Sequence, residues 1–229
     1  IWLAHYIHLS KEKVVQRIRI FSGNLPDELV NEGLKLKNTG FWDVHEVRQK
    51  IKDIKLEEKI YSYAYRPFDV RYICYGNILI HRDKFNLMKH LLLSNIAICT
   101  DRILAKPPFK HVFISEYIGD LAYLSNITKE GTYFFPLYLY PDKPKGQLFA
   151  EGAIEVKRIP NFADKFLQAI RESLGAELTP DEIFYYIYAV LSSPTYRKRY
   201  EEFLKIDFPR IPLPADYGSF KALSDLGKE

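Results

Sequence analysis

The sequence is poor in cysteine and methionine, with two of the first and one of the second among 229 residues. Cys74 and Cys99 stand alone, without a CxxC pair or Cys/His spacing. That argues against a disulfide-held scaffold and against a structural zinc site, and fits a reducing, cytoplasmic setting. No apolar run approaches the about 18 residues that a bilayer-spanning helix needs, and no leader pattern opens the chain, so no membrane partner is expected. Internal repeats and low-complexity tracts are lacking, as are GxGxxG, Walker A, GxSxG and HExxH. The only methionine is Met88 and the chain begins at Ile1, so it reads as one piece of a longer polypeptide.

What is present is a core. Hydrophobic residues make up 47%, with 17 Tyr and 15 Phe, enough for one large folded domain or two small ones and far from a disordered composition. The formal charge of +4 and pI near 8.8 permit an anionic partner without demanding one. The balance is uneven. Between Tyr61 and Glu130 nine cations (Arg66, Arg71, Arg82, Lys84, Lys89, Arg102, Lys106, Lys110 and Lys129) face six acids (Asp69, Asp83, Asp101, Glu116, Asp120 and Glu130). If a polyanion binds, the middle of the chain holds it.

Periodicity divides the chain at residues 60/61 and 146/147. In residues 1–60, Val14 to Phe21 alternates and reads as a strand ending at a Ser22-Gly23-Asn24 turn. Pro26 to Val30 starts a short helix. Val44 to Ile60 reads as an exposed amphipathic helix or a pair of turns. In residues 61–146, short aromatic and β-branched runs at Val70 to Tyr75, Ile78 to Ile80, Asn95 to Thr100, Val112 to Ile114 and Tyr133 to Tyr140 read as strands, with a helix at Lys84 to Leu93. Pro141 to Gly146 is the clearest linker. In residues 147–229 the chain turns helical. Asn161 can cap a helix stopped by Gly175. Thr179-Pro180-Asp181-Glu182 is a capping-box start for a buried helix through Leu191. Ser193-Pro194 opens another helix through Leu204, and Phe208 to Pro214 is extended by its prolines.

Several constellations suit an anionic ligand. Arg66 and Arg71 flank Pro67-Phe68-Asp69, where a guanidinium fork on a stiff turn can pair with a guanine edge or a phosphate. The plain alternative is that Asp69 pairs with one arginine and the turn packs Phe68. Arg82 and Lys84, Lys89 and His90, Arg102, and Lys106, Lys110 and His111 put cations beside loops; Ser125, Asn126 and Lys129 sit in a polar loop of the kind that reads adenine or holds phosphate. A solvated charged surface is the alternative for each. Arg197 is expected to pair with Glu201 one helical turn on. A nuclease reading rests on Pro141-Asp142 followed by Glu155-Val156-Lys157, a short PD…ExK pattern in which acids hold Mg²⁺; Asp142 lies in a linker instead of at a strand end. His5 and His8 have HxxH spacing without a third ligand, so no metal site is expected. A third class, a protein-interaction domain, would use the amphipathic segment Val44 to Ile60.

Three blocks carry a resemblance. They are Tyr65-Arg66-Pro67-Phe68-Asp69-Val70-Arg71-Tyr72, then Leu124-Ser125-Asn126 leading to Phe135-Pro136-Leu137-Tyr138-Leu139-Tyr140-Pro141, and Thr179 through Leu191 continuing to Pro212. Together they resemble the C-terminal target-recognition region of type ISP restriction–modification enzymes, from about Ile60 to Gly227. Residues 1–60 read as a junction or a variable part of that region. In such enzymes one polypeptide carries a nuclease, a helicase-like ATPase, an N6-adenine methyltransferase using S-adenosylmethionine and, last, the recognition domain. The Asn/Asp-Pro-Pro-Tyr/Phe loop that grips a flipped adenine is absent here, so this chain alone is expected to be non-catalytic and to hold no cofactor. S-adenosylmethionine, ATP and Mg²⁺ are implied for the parent enzyme. The expected fold is α+β, a mixed or antiparallel sheet region followed by a helical subdomain. The expected partners are duplex DNA and the methyltransferase domain of the same polypeptide.

Overall fold

A computed structural model describes residues 7–39, 42–76, 79–80, 84–104, 106, 108–127, 130–141 and 157–229. His5, Ile78, Arg82, Lys129, Asp142 and Glu155, with the linker beyond Pro141, lie outside the described residues. The fold is α+β. Cα proximity groups the chain into two compact units, Ile1–Leu92 with Tyr117–Asp120, and Leu93–Glu116 with Leu121–Glu229.

The first unit opens with β1 (Ile7–His8) and α1 (Lys11–Ser22). Here the structure corrects the strand expected over Val14 to Phe21. Ser10 Oγ accepts from Lys13 N at 3.2 Å, and the residues that bury are Val14, Ile18 and Phe21, one helical face. The misleading alternation came from Ile20, which stays exposed. The helices α2 (Asp27–Leu34) and α3 (Val44–Lys50) follow. Arg48 on α3 ties these elements together. It donates to the carbonyls of Phe21 at 2.8 Å, Gly23 at 2.5 Å and Leu25 at 2.8 Å, and pairs with Asp27. The segment to Ile60 is a helix and a separate 3-10 turn, Leu56–Lys59.

The sheet of this unit has the order β1-β3-β2-β6, with β2 (Ile60–Arg66), β3 (Asp69–Cys74) and β6 (Ile118–Gly119). β2 runs antiparallel to β3 and parallel to β6, so the sheet is mixed. Leu79 and Ile80 form a turn instead of a strand, because Leu79 N bonds back to Gly76 O at 3.1 Å. The helix expected from Lys84 is only α4 (Phe85–Met88) with one 3-10 turn, Lys89–Leu91.

In the second unit β4 (Ala97–Asp101) is the central strand, antiparallel to both β5 (Val112–Ser115) and β7 (Thr132–Pro136). The short pair β8 (Tyr138–Leu139) and β9 (Ile159–Pro160) follows. Asn161 does not cap the next helix. It pins this edge, donating from Nδ2 to Pro136 O at 2.9 Å, and α5 (Asp164–Leu174) starts after Ala163 and ends at left-handed Gly175.

The capping box of α6 (Pro180–Ser192) forms as expected: Glu182 N donates to Thr179 Oγ1 at 3.2 Å, and Thr179 N donates to Glu182 Oε2 at 2.9 Å. The chain continues through α7 (Pro194–Arg199) and α8 (Glu201–Leu204), broken at Tyr200. Arg197 departs from expectation. Its Nε donates to Leu191 O at 2.7 Å, capping the carbonyl end of α6, while Glu201 meets Lys205. A helix end left without donors attracts a cation more than an exposed carboxylate does. Residues 208–214 are extended as expected; their carbonyls at Arg210 and Pro212 accept from Tyr196 Oη at 2.8 Å and Tyr186 Oη at 2.9 Å. The sequence reading missed α9 (Tyr217–Lys228), which Asp216 caps and which packs on α6. Among the described residues no helix is long and apolar enough to cross a membrane.

Glu182 gives this unit a pH dependence. Its carboxyl lies below the usual range, first because Thr179 N bonds to it, then the Thr179 hydroxyl, with Lys221 adding less against the cost of burial. A depressed folded pKa means stability that is present above the unfolded value and lost as pH falls through the folded one. Melting temperature should therefore drop with acidification from about pH 5 to pH 3. Glu182→Gln should show a flatter profile over that window. A variant profile as steep as the parent's would remove Glu182 from the acid response.

Candidate nucleic-acid interface

The β2–β3 turn is two residues long, since Arg66 pairs with Asp69 and leaves Pro67-Phe68 as the loop. Proline fixes φ at the first position, and Phe68 takes φ 64° at the second, the sign pattern of a type II turn. For a bulky residue that left-handed region costs about 1–2 kcal/mol. Type II geometry fits the strand twist poorly, and the ladder answers with a register shift between Ala64 and Arg66.

Tyr65 sits at that shift, between the strands' two arginines. The guanidinium carbons of Arg71 and Arg66 lie 3.7 and 4.2 Å from its ring centre, within cation–π reach. Arg71 also donates to Asp69 from Nε at 3.0 Å and from Nη2 at 2.7 Å. That bond holds the Asp69 carboxyl below its usual range despite partial burial and pushes the arginine up. It uses the Nε–Nη2 edge of the fork and leaves the Nη1–Nη2 edge for another acceptor. Arg66 instead reaches Asp120 at 3.3 Å, whose other oxygen accepts from Tyr63 Oη at 2.9 Å. Both arginines are therefore held in place by acids and by one aromatic ring. Beyond them Phe68 stands 97% exposed at the apex, where the plain sequence alternative had packed it under the turn.

The other expected cations of this unit behave differently. Lys84 is exposed, with a left-handed backbone ahead of α4. Lys89 is half-buried, and His90 is 8% exposed. His90 turns inward because the 3-10 turn puts it beside Leu91 on the buried side, and this burial takes it out of the reading surface.

In the second unit Lys106, Lys110 and Asn126 are exposed, while Ser125 is half-buried and its Oγ accepts from Ile127 N at 3.2 Å to shape the loop. His111 is half-buried at the entry to β5. Arg102 pairs with Asp207 at 3.0 Å and lies 5.6 Å from the Phe208 ring. Phe208 in turn meets the rings of Tyr133 at 4.8 Å and Phe135 at 5.6 Å, nearly edge-on. Sequence reasoning missed this aromatic face. Alternation in β7 could have found it, because Thr132, Phe134 and Pro136 bury while Tyr133 and Phe135 point outward. Neither cysteine adds chemistry: both thiols are pushed up by burial, Cys74 to about 12.

Residues 4–229 match the family described as the Type ISP C-terminal specificity domain. The match takes in the first sixty residues, where the resemblance read from sequence began only near Ile60. No curated protein matches the chain. Among solved structures, it is similar to a DrdV–DNA complex seen by cryo-EM, with 23% identity and a TM-score of 0.70 over 97% of this chain and 21% of that one. It is also similar to LlaBIII, an ATP-dependent Type ISP restriction-modification enzyme bound to DNA, with 20% identity and a TM-score of 0.69 over 97% of this chain and 14% of that one. A nuclease-deletion mutant of the Type ISP enzyme LlaGI in complex with a DNA substrate mimic gives 22% identity and 0.59 over 98% and 20%. At these identities the likeness is one of fold, and the chain spans about a fifth or less of each relative.

Proposed function

Since the chain belongs to the Type ISP C-terminal specificity domain family, we propose that it binds duplex DNA sequence-specifically and positions a target adenine for a methyltransferase domain elsewhere in the same polypeptide. The observation that carries this reading is the β2–β3 apex. It presents an exposed phenyl ring beside two arginines already oriented by Asp69, Asp120 and Tyr65. Preoriented guanidinium groups lose little entropy on meeting a phosphate or a guanine edge. The three relatives are described as complexes with DNA or a DNA mimic, which supports the choice of ligand. Lys84, Lys106, Lys110 and Asn126 would add phosphate and base contacts from exposed positions, and Arg102 would do so from beside Phe208. S-adenosylmethionine, ATP and Mg²⁺ belong in this reading to other parts of the parent polypeptide, which acts in the cytoplasm.

Fluorescence anisotropy with mixed-sequence duplex across a salt series tests the proposal. The logarithm of affinity should fall linearly with the logarithm of salt concentration, by about 0.9 per phosphate neutralised. Absent binding at low salt, or a flat response, would sink the DNA reading.

A further inference from the structure

Asp101, His111 and Glu130 share no motif, yet the sheet brings them to one place. Asp101 ends the central strand β4, where it pairs in register with Thr132. Glu130 lies two residues before that partner. His111 immediately precedes Val112, which pairs with Thr100 on the other side. The consequence is that one ligand atom from each of the three lies within 4.8 Å of the other two. Zinc ligands at tetrahedral spacing are separated by about 3.5 Å and octahedral ones by about 3 Å, so side-chain rotation alone closes the set.

Burial argues that the cluster has an occupant. Asp101 is 1% exposed, and neither of its carboxylate oxygens completes a hydrogen bond. His111 Nδ1 is likewise buried without a hydrogen-bond partner. Glu130, 8% exposed, brings a second carboxylate to the same point. Buried carboxylates are held by hydrogen bonds, by cations or by metals, and both oxygens of Asp101 face this point without a hydrogen bond, beside an imidazole nitrogen in the same condition.

We propose that Asp101, His111 and Glu130 bind one divalent transition-metal cation, zinc or manganese. An imidazole with two carboxylates favours these ions over magnesium or calcium, whose ligand sets are all oxygen. The ion would clamp the ends of β4, β5 and β7 together and fix the loops that leave them, a structural role with no catalytic step. The alternative occupant is a proton shared among the three side chains.

The test uses the purified 229-residue chain, stripped with EDTA, dialysed and titrated calorimetrically with ZnCl₂ and separately with MnCl₂. One equivalent of either should bind. Melting temperature should rise by about 5–10 °C when free metal exceeds the dissociation constant a hundredfold. Asp101→Asn and His111→Gln should each lose that rise while keeping the parent's apo melting temperature to within a few degrees. Should those variants fail to fold, the titration of the parent chain still decides. Stoichiometry below a tenth of an equivalent for both ions, or an equal thermal response in the variants, would overturn the site and leave the shared proton.

Discussion

Phe68→Ala is expected to weaken duplex binding about 5- to 150-fold while leaving the melting temperature within a degree or two of the parent. Stacking of one aromatic ring on a base is worth about 1–3 kcal/mol, and apolar side chains inserted at base steps are a common device for gripping a duplex. Stability should not follow, because a side chain 97% exposed contributes no core. Its backbone is instead a cost, since φ 64° is unfavourable for any residue with a Cβ. Phe68→Gly should therefore lose affinity like the alanine variant and gain up to about 1 kcal/mol of stability, the relief of strain offset in part by added freedom in the unfolded chain. Opposite signs in the two measurements identify a residue kept for contact and not for folding. Arg71→Ala and Arg197→Ala calibrate the result. The first removes a cation from the apex and leaves Asp69 facing the phosphates, so affinity should fall. The second removes the donor to Leu191 O, so melting temperature should fall with affinity kept. If Phe68→Ala binds as the parent does and Arg197→Ala does not, the reading surface lies on the helical part and the apex is only a turn.

Local rules recovered much of this architecture. The capping box at Thr179 formed because one hydroxyl and one carboxylate satisfy backbone donors that have no other partner. Gly175 ended α5 in the left-handed conformation that its missing Cβ allows. The strands over 97–101, 112–115 and 132–136 followed from β-branched and aromatic runs. What failed was governed by partners distant in sequence. Val14 to Phe21 reads as a strand by alternation, but a helical face of Val14, Ile18 and Phe21 found a core to fill. Asn161 carries the right side chain for a cap and spends it on the Pro136 carbonyl. Arg197 had an acid at helical spacing and chose a carbonyl from another helix.

The candidate interface divides in the same way. Arg66 and Arg71 were legible because they flank a turn stiffened by Pro67, and an Asp69 pair with one of them was foreseen; the partner of Arg66 was not, since Asp120 lies far along the chain. Phe68 was read as packed only in the plain alternative, and no reading exposed it, since an exposed phenyl at positive φ contradicts both hydrophobicity and backbone preference. That contradiction is itself the signal, as strain retained in a folded protein concentrates at functional positions. The Asp101, His111 and Glu130 cluster was invisible for a different reason. Its spacing of ten and nineteen residues matches no ligand motif, and only the antiparallel register of β4 with β5 and β7 converts it into proximity.

The largest stability effects are expected where α9 meets α6. Phe220 is fully buried, its ring 5.3 Å from that of Tyr186 and 6.3 Å from that of Tyr217. Phe220→Ala should cost about 3–5 kcal/mol, the transfer energy of the ring together with the cavity it leaves. For a chain of this size that is a drop of roughly 6–20 °C in melting temperature. Gly227, two turns further on, makes the opposite test by adding volume. A Cβ there would fall 2.1 Å from the Tyr185 carbonyl oxygen, which is backbone and cannot rotate away. Helix propensity alone would reward alanine by about 1 kcal/mol, so the sign of Gly227→Ala separates packing from propensity. A loss of about 1–3 kcal/mol is expected, limited by fraying of the last turn of α9. Ser224 lies between the two and donates to Glu182 O at 3.0 Å, so the face Phe220, Ser224 and Gly227 forms one seam along α6. Thermal melts of both variants decide the matter. Parent-like stability in Phe220→Ala, or a gain in Gly227→Ala, would mean that α9 does not pack on α6 in solution.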